Sequence, residues 1–80
     1  MDVREVFAIN LRCLRHAKEL SQDHLAYEDQ VSRCYLSQLE KGAFYASLRT
    51  VAKLAAVLEV EPAELLKLPP YEKPRNQNRG

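Results

Sequence analysis

The sequence predicts an all-α fold of five short helices, and three observations carry that reading. Apolar residues recur at helical spacing in two stretches, Phe7, Leu11 and Leu14, then Leu48, Val51, Leu54, Ala55 and Leu58. Serines stand just ahead of helical patterns at Ser21, Ser32 and Ser47, where a hydroxyl can accept from a backbone N–H that the first turn leaves unpaired. No stretch shows the apolar–polar alternation of a half-buried strand. With 80 residues, 46% of them apolar, the chain has material for one small core.

In chain order, helix 1 is expected from about Asp2 to Glu19, with Val3 extending the apolar stripe by a turn. Arg4, Arg12, Arg15 and Lys18 fall mostly on other faces, and Leu20 should pack under the start of the next helix. Helix 2 runs from about Gln22 to Glu28, with Leu25 and Ala26 as its apolar pair. Asp29, Gln30 and Val31 connect it to helix 3, Val31 being the apolar plug. Helix 3, about Arg33 to Glu40, puts Leu36 and Leu39 on one face and Arg33, Cys34, Ser37, Gln38 and Lys41 elsewhere. Gly42 supplies a left-handed C-cap, which other residues adopt at a cost. A loop with two aromatics, Phe44 and Tyr45, leads to Ser47 and helix 4. Glu61-Pro62 opens helix 5, with Pro where its missing N–H is not needed, and that helix extends to about Leu68. Residues 1–68 are thus the expected domain. Residues 69–80, opened by Pro69-Pro70, read as a polar tail, disordered or polyproline-like, in which Arg75 and Arg79 are either solvated or an electrostatic arm.

Composition excludes several functions. No apolar run is long enough to cross a bilayer, and the N-terminal MDVREVFAINLRCLRH lacks the order of a signal peptide, so a cytoplasmic protein is expected, with no membrane partner. Cys13 and Cys34 fit no C-x-x-C spacing. Cys13 is read as a buried thiol and Cys34 as an exposed one, with redox sensing as its alternative role. Cys13 and His16 have the spacing of a two-ligand clip, yet His24 is isolated and nothing else converges, so no metal and no cofactor is expected. No Ser/His/Asp or Cys/His set and no glycine-rich phosphate loop appears, which argues against an enzyme, and no small-molecule ligand is evident. The formal charge of +1 argues mildly against nucleic acid, although Arg12, Arg15, Arg33, Lys41, Arg49 and Lys53 gather near the centre among Asp23, Glu28, Asp29 and Glu40.

The central stretch, SQDHLAYEDQVSRCYLSQLEKG over Ser21–Gly42, contains S-Q-x-x-L-A, V-S-R and Y-L-S-Q-L-E-K-G. L-R-x-L-R precedes it, and S-L-R-T-V-x-K-L-A and V-E-P-A-E-L-L follow. This pattern, over roughly Ile9 to Leu66, resembles the Cro/phage-repressor helix-turn-helix of the XRE family. L-A-Y and R-x-Y-L-S also look like the small controller proteins of restriction–modification systems. The resemblance implies a lambda-repressor-like domain with its helix-turn-helix at helices 2 and 3, acting as a sequence-specific transcriptional regulator on double-stranded DNA.

It further implies roles residue by residue. Helix 3 would lie in the major groove with Arg33, Cys34, Ser37 and Gln38 at base edges. The Arg33 fork suits guanine O6 and N7, Gln38 suits adenine N6 and N7, and Cys34 offers only apolar contact, as to a thymine methyl. Phosphates would be held by Ser21, Gln22, Tyr35, Lys41 and Tyr45, with the Gln22 amide working beside the positive end of helix 2. Tyr35 stays open between a core ring and a phosphate-binding hydroxyl. Arg15 and Glu40 would form a partly buried ion pair between helices 1 and 3. A homodimer reading an inverted repeat is expected, through a patch of Val60, Leu65, Leu66 and Leu68 that carries more aliphatic surface than one small core needs. Two departures stand out: Gln30 occupies a turn position that is commonly Gly, and Ala43-Phe44-Tyr45-Ala46 replaces a loop that usually carries basic residues and Pro. The near-neutral charge and the aromatic loop favour a second reading, a helical protein-interaction module, antitoxin-like or accessory, that keeps the fold without reading DNA.

Overall fold

Side-chain caps set where each helix begins. In the computed structural model, which describes residues 2–68, Asp2 accepts from the Arg4 N–H and Glu5 reaches back to the Asp2 N–H, a reciprocal box that starts α1 (Val3–Ala17). Ser21 Oγ accepts from the His24 N–H ahead of α2 (Gln22–Asp29), Ser32 Oγ from the Tyr35 N–H ahead of α3 (Arg33–Glu40), and Ser47 Oγ from the Thr50 N–H ahead of α4 (Leu48–Leu58). The tail from Pro69 onward, including Arg75 and Arg79, lies outside the described residues.

The expected fifth helix is a single 3-10 turn, Pro62–Leu65, so the described chain has four α-helices. Its bonds run from the Glu64 N–H to Glu61 O (2.9 Å) and from the Leu66 N–H to Ala63 O (3.0 Å). Carbonyls at and just after its end accept from α1. Asn10 Nδ2 donates to Leu65 O at 3.0 Å and to Lys67 O at 2.6 Å. Asn10 is itself buried, and these two bonds satisfy its amide.

The core gathers Phe7 and Leu11 from α1, Leu25 and Ala26 from α2, Leu36 and Leu39 from α3, Val51, Leu54, Ala55 and Leu58 from α4, and Leu65 from the 3-10 turn. Leu14, Leu20 and Val31 pack against it, half-buried. Helices α2 and α3 have only eight residues each, too few to persist without this packing. Three expectations are corrected. Cys13 is exposed, because two residues at about 100° each carry it to the far side of α1 from Leu11. Leu48 is 83% exposed, being the first residue of α4 and beyond the edge of the core, and Val3 is half-exposed at the start of α1. None of the described helices is long and apolar enough to cross a membrane.

The turn between α2 and α3 takes the left-handed conformation at Gln30, with φ 60° and ψ 42°. The Val31 N–H closes it on Ala26 O at 3.0 Å, and Gln30 N–H on Tyr27 O at 3.2 Å. Glu19 and Glu59 share the same strain at φ 58° and 60°, whereas Gly42, at φ 77°, suits it. A left-handed non-glycine residue is disfavoured by about 1–2 kcal/mol. Gln30→Gly is therefore expected to raise stability by about 1 kcal/mol, read as a shift in the urea midpoint.

At the end of α2, Asp29 is only 1% exposed, and neither carboxylate oxygen has a hydrogen-bond partner among the described residues. Burial pushes its pKa above the ordinary carboxylate value, and the Lys53 charge offsets this only in part. A raised folded pKa means that the protonated acid favours folding. The contribution is complete below the ordinary carboxylate range and is lost as pH rises through the raised value. Asp29→Asn mimics the neutral acid. It is expected to melt above the wild type at pH 7, the difference shrinking towards pH 4. A constant difference across that range would count against the assignment.

Candidate functional site

The helix-turn-helix is anchored by one carboxylate. Glu40, 2% exposed at the end of α3, accepts from Arg15 Nε at 2.6 Å on Oε2 and from Arg15 Nη2 at 2.9 Å on Oε1. Gln22 Nε2 donates to the same Oε1 at 2.9 Å. Arg15 Nη1 turns to Leu20 O at 2.8 Å, and Arg12 Nη1 caps the Glu40 carbonyl at 2.6 Å. A forked, charge-assisted pair with its remaining lone pairs and protons engaged is the arrangement that makes a buried ion pair tolerable. It ties α1, the start of α2 and the end of α3 together.

That anchor fixes which way α3 faces. Leu36, Leu39 and Glu40 point inward; Arg33 and Cys34 are exposed, and Ser37 and Gln38 are half-exposed. Together with exposed Lys41 they line one shallow depression on the outer side of α3. Arg33 Nε lies 3.4 Å from Oδ1 of Asp23 in the first turn of α2, both side chains in solvent. This face offers a guanidinium fork, a thiol, a hydroxyl and an amide on one rigid helix, the donor and acceptor types that suit base edges.

The expected phosphate set is more dispersed. Ser21 is exposed, and its hydroxyl serves as the α2 cap. Gln22 is half-buried and commits one amide donor to Glu40. The Tyr35 ring packs against the core and stacks on Phe44, centroids 6.3 Å apart. Tyr45 is exposed, its ring covered on one side by the Arg4 guanidinium at 4.8 Å. Of the aliphatic patch, Leu65 is fully buried within its own chain, so it cannot also cover a second copy; Leu66 and Leu68 are exposed and Val60 half-exposed. Leu65 is corrected from interface to core. Sequence reasoning missed Asp23 as a neighbour of Arg33, Arg12 as the cap of α3, and Asn10. Only the spacing of Arg12 just before Leu14-Arg15 hinted at a shared face.

Residues 6–68 match a family described as "Helix-turn-helix domain". A protein of Neisseria meningitidis serogroup B, the Neisseria hypothetical transcription factor, is 39% identical over 72 residues, 90% of this chain and 67% of that one. Control protein C.BamHI of Bacillus amyloliquefaciens is 35% identical over 66 residues, 81% of this chain and 82% of that one. Among solved structures, the hypothetical transcription factor NHTF from Neisseria superposes with a TM-score of 0.82 at 37% identity, covering 85% of this chain and 78% of that one. The restriction–modification controller protein C.AhdI from Aeromonas hydrophila gives 0.75 at 42% identity, covering 78% and 94%.

Removing Glu40 would strand the Arg15 guanidinium in the interior. Glu40→Ala is expected to lose about 3–5 kcal/mol of stability, the usual result of breaking a buried pair from one side. A loss under about 0.5 kcal/mol in denaturant titration would place Glu40 among ordinary surface residues.

Proposed function

The chain belongs to the helix-turn-helix domain family, and from that premise we propose that it is a sequence-specific regulator of transcription that binds double-stranded DNA as a homodimer on an inverted-repeat operator. The observation that carries this reading is the outer face of α3, where Arg33, Cys34, Ser37 and Gln38 project from a helix whose opposite face is locked by core leucines and the Arg15–Glu40 pair. Residues 1–68 form the DNA-binding unit. The work is binding, not catalysis, and its place is the cytoplasm, where the DNA is.

In this reading α3 enters the major groove from its N-terminal end. Arg33 pairs with guanine, Gln38 with adenine, and each bidentate pair discriminates by about 1–3 kcal/mol. Cys34 packs on a thymine methyl and Ser37 adds a hydroxyl. Lys41, Ser21 and the free amide N–H of Gln22 meet phosphates on either side, with the positive end of α2 supplying attraction without net charge. Tyr35 and Tyr45 flank the same edge and are the weaker members of that set, since their rings already pack within the chain. Val60, Leu66 and Leu68 form the part of the aliphatic patch that can meet a second copy. Two α3 helices about 34 Å apart would then read two half-sites.

The exposed aromatic loop at Phe44 and Tyr45 favours the second reading, a protein-interaction module. Duplex binding separates the two, because a DNA reader loses affinity with salt on a log–log slope near −0.9 per phosphate contacted. Selection from a random duplex pool is expected to return an inverted repeat bound by a sedimenting dimer. On that duplex, Arg33→Ala should relax preference at one guanine, whereas Lys41→Ala should weaken all duplexes alike and lower the salt slope by about 1. Equal loss from both variants would refute these roles, and a wild type without duplex affinity at low salt would transfer the case to the interaction module.

A further inference from the structure

Phe44 and Leu66 come from separate parts of the chain and meet at one apolar groove. Its floor is Phe7 and Val51, both buried, and its walls are Val3, Phe44, Tyr45 and Leu66. The groove has a volume of about 60 Å³, enough for a side chain to enter. Among the described residues seven large apolar side chains are exposed, and four of them form these walls. A fifth, Leu68, is 71% exposed and follows Leu66 by two positions. Single apolar residues scattered over a surface need no partner, but a cluster around a depression marks a contact surface.

A second copy of this chain fits the groove, and this inference rests on the homodimer of the DNA-reading proposal. A twofold contact brings the same patch of both copies together, so one patch must hold both a hole and what fills it. Here the groove and the projecting Leu68 lie side by side. The rim carries one charge of each sign, Asp2 and Arg4, paired at 2.9 Å with 36% of each side chain exposed. Such a rim adds no net charge, and the centre of an interface is poor in charge. Val60 borders a depression shared with Glu59, Glu61 and Glu64, a setting that suits the edge of a contact.

We infer that each copy seats Leu68 in the other's groove, so that the homodimer is centred on Val3, Phe44 and Leu66 with Val60 at its edge. Phe44 lies four residues past the end of α3 and stacks on Tyr35 of that helix. A contact made there sets the distance between the two reading helices through a short, packed connection, as two half-sites at fixed spacing require.

Sedimentation of the full chain over a concentration series reads the contact. Val3→Glu places an acid in the first turn of α1, where it suits the helix, and Leu68→Lys changes an exposed side chain. Both variants are therefore expected to melt near the wild type. Each should weaken self-association by about tenfold or more, since each brings a charge into the apolar centre. Mixed in equal amounts they should recover pairing, because one groove then sets a carboxylate against an ammonium while the other keeps valine and leucine. Val60→Ser should weaken pairing by less than about threefold, as an edge residue does. Single variants that pair like the wild type would leave the groove to another protein and overturn the inference. So would a mixture no tighter than its parts, or a Val60→Ser loss larger than theirs. A wild type that stays monomeric at every concentration and on the selected duplex fails differently, because it removes the homodimer and this contact with it. A wild type that pairs through the groove yet binds no duplex keeps the contact and removes the DNA reading.

Discussion

Everything on the outer face of α3 depends on the Glu40 carboxylate at its inner end. Two helices of eight residues have no independent stability, and leucine packing alone fixes their depth better than their rotation. The Arg15 fork fixes rotation, because two parallel N–H···O bonds at 2.6 and 2.9 Å tolerate little twist of α3 about its axis. Gln22 brings the start of α2 to the same oxygen, and Arg12 binds the carbonyl of the same residue. One residue thereby sets the relation among three helices. The polar tie is dense enough to satisfy the guanidinium and the carboxylate together, so burying charge here does not leave an orphan.

Much of this was legible in local chemistry. The serine caps, the Gly42 terminus and the inward spacing of Leu36 and Leu39 are each set by a few neighbouring residues, whereas the Arg15–Glu40 pair, 25 positions apart, was expected only from the family resemblance. The features that escaped are set by what another element brings. Asp29 looks like a linker residue beside Gln30, yet it closes α2 and is only 1% exposed, within the field of Lys53 on α4. Asn10 looks like a polar residue on a helix surface, yet it ends the 3-10 turn 55 positions along the chain. Leu65 and Leu66 are the same residue type side by side, and only the turn geometry sends one inside and leaves the other out. Periodicity could not separate them in a segment too short to have a period.

The buried Asp29 and the left-handed Gln30 stand next to each other at the turn between α2 and α3. Both oppose stability, one by desolvating a carboxylate and the other by backbone strain. Strain of this sort persists where the surroundings over-determine the conformation. Here the surroundings are the Ser32 cap on one side and the Val31 N–H bond to Ala26 O on the other. The turn is held by its ends and not by its own residues. A glycine at Gln30 and a small neutral residue at Asp29 would have given an easier turn, so stability at this point is below what the fold permits.

The loop after α3 shows the same logic in reverse. Where basic residues would reach for phosphate, this chain places Phe44 against the Tyr35 ring and Tyr45 under the Arg4 guanidinium. Both contacts draw the loop back onto α3 and the start of α1, so an anchoring function of the loop is directed into the protein. On the proposed reading, the phosphate work beyond α3 then falls to Lys41, the last residue before Gly42 turns the chain away. A single exposed lysine at the helix end gives weak, non-directional attraction, whereas the fork of Arg33 and the amide of Gln38 are directional and ride on a helix that cannot rotate. On that same reading the balance of the site is shifted from charge toward geometry, which would let a chain carrying almost no net charge distinguish one sequence from another.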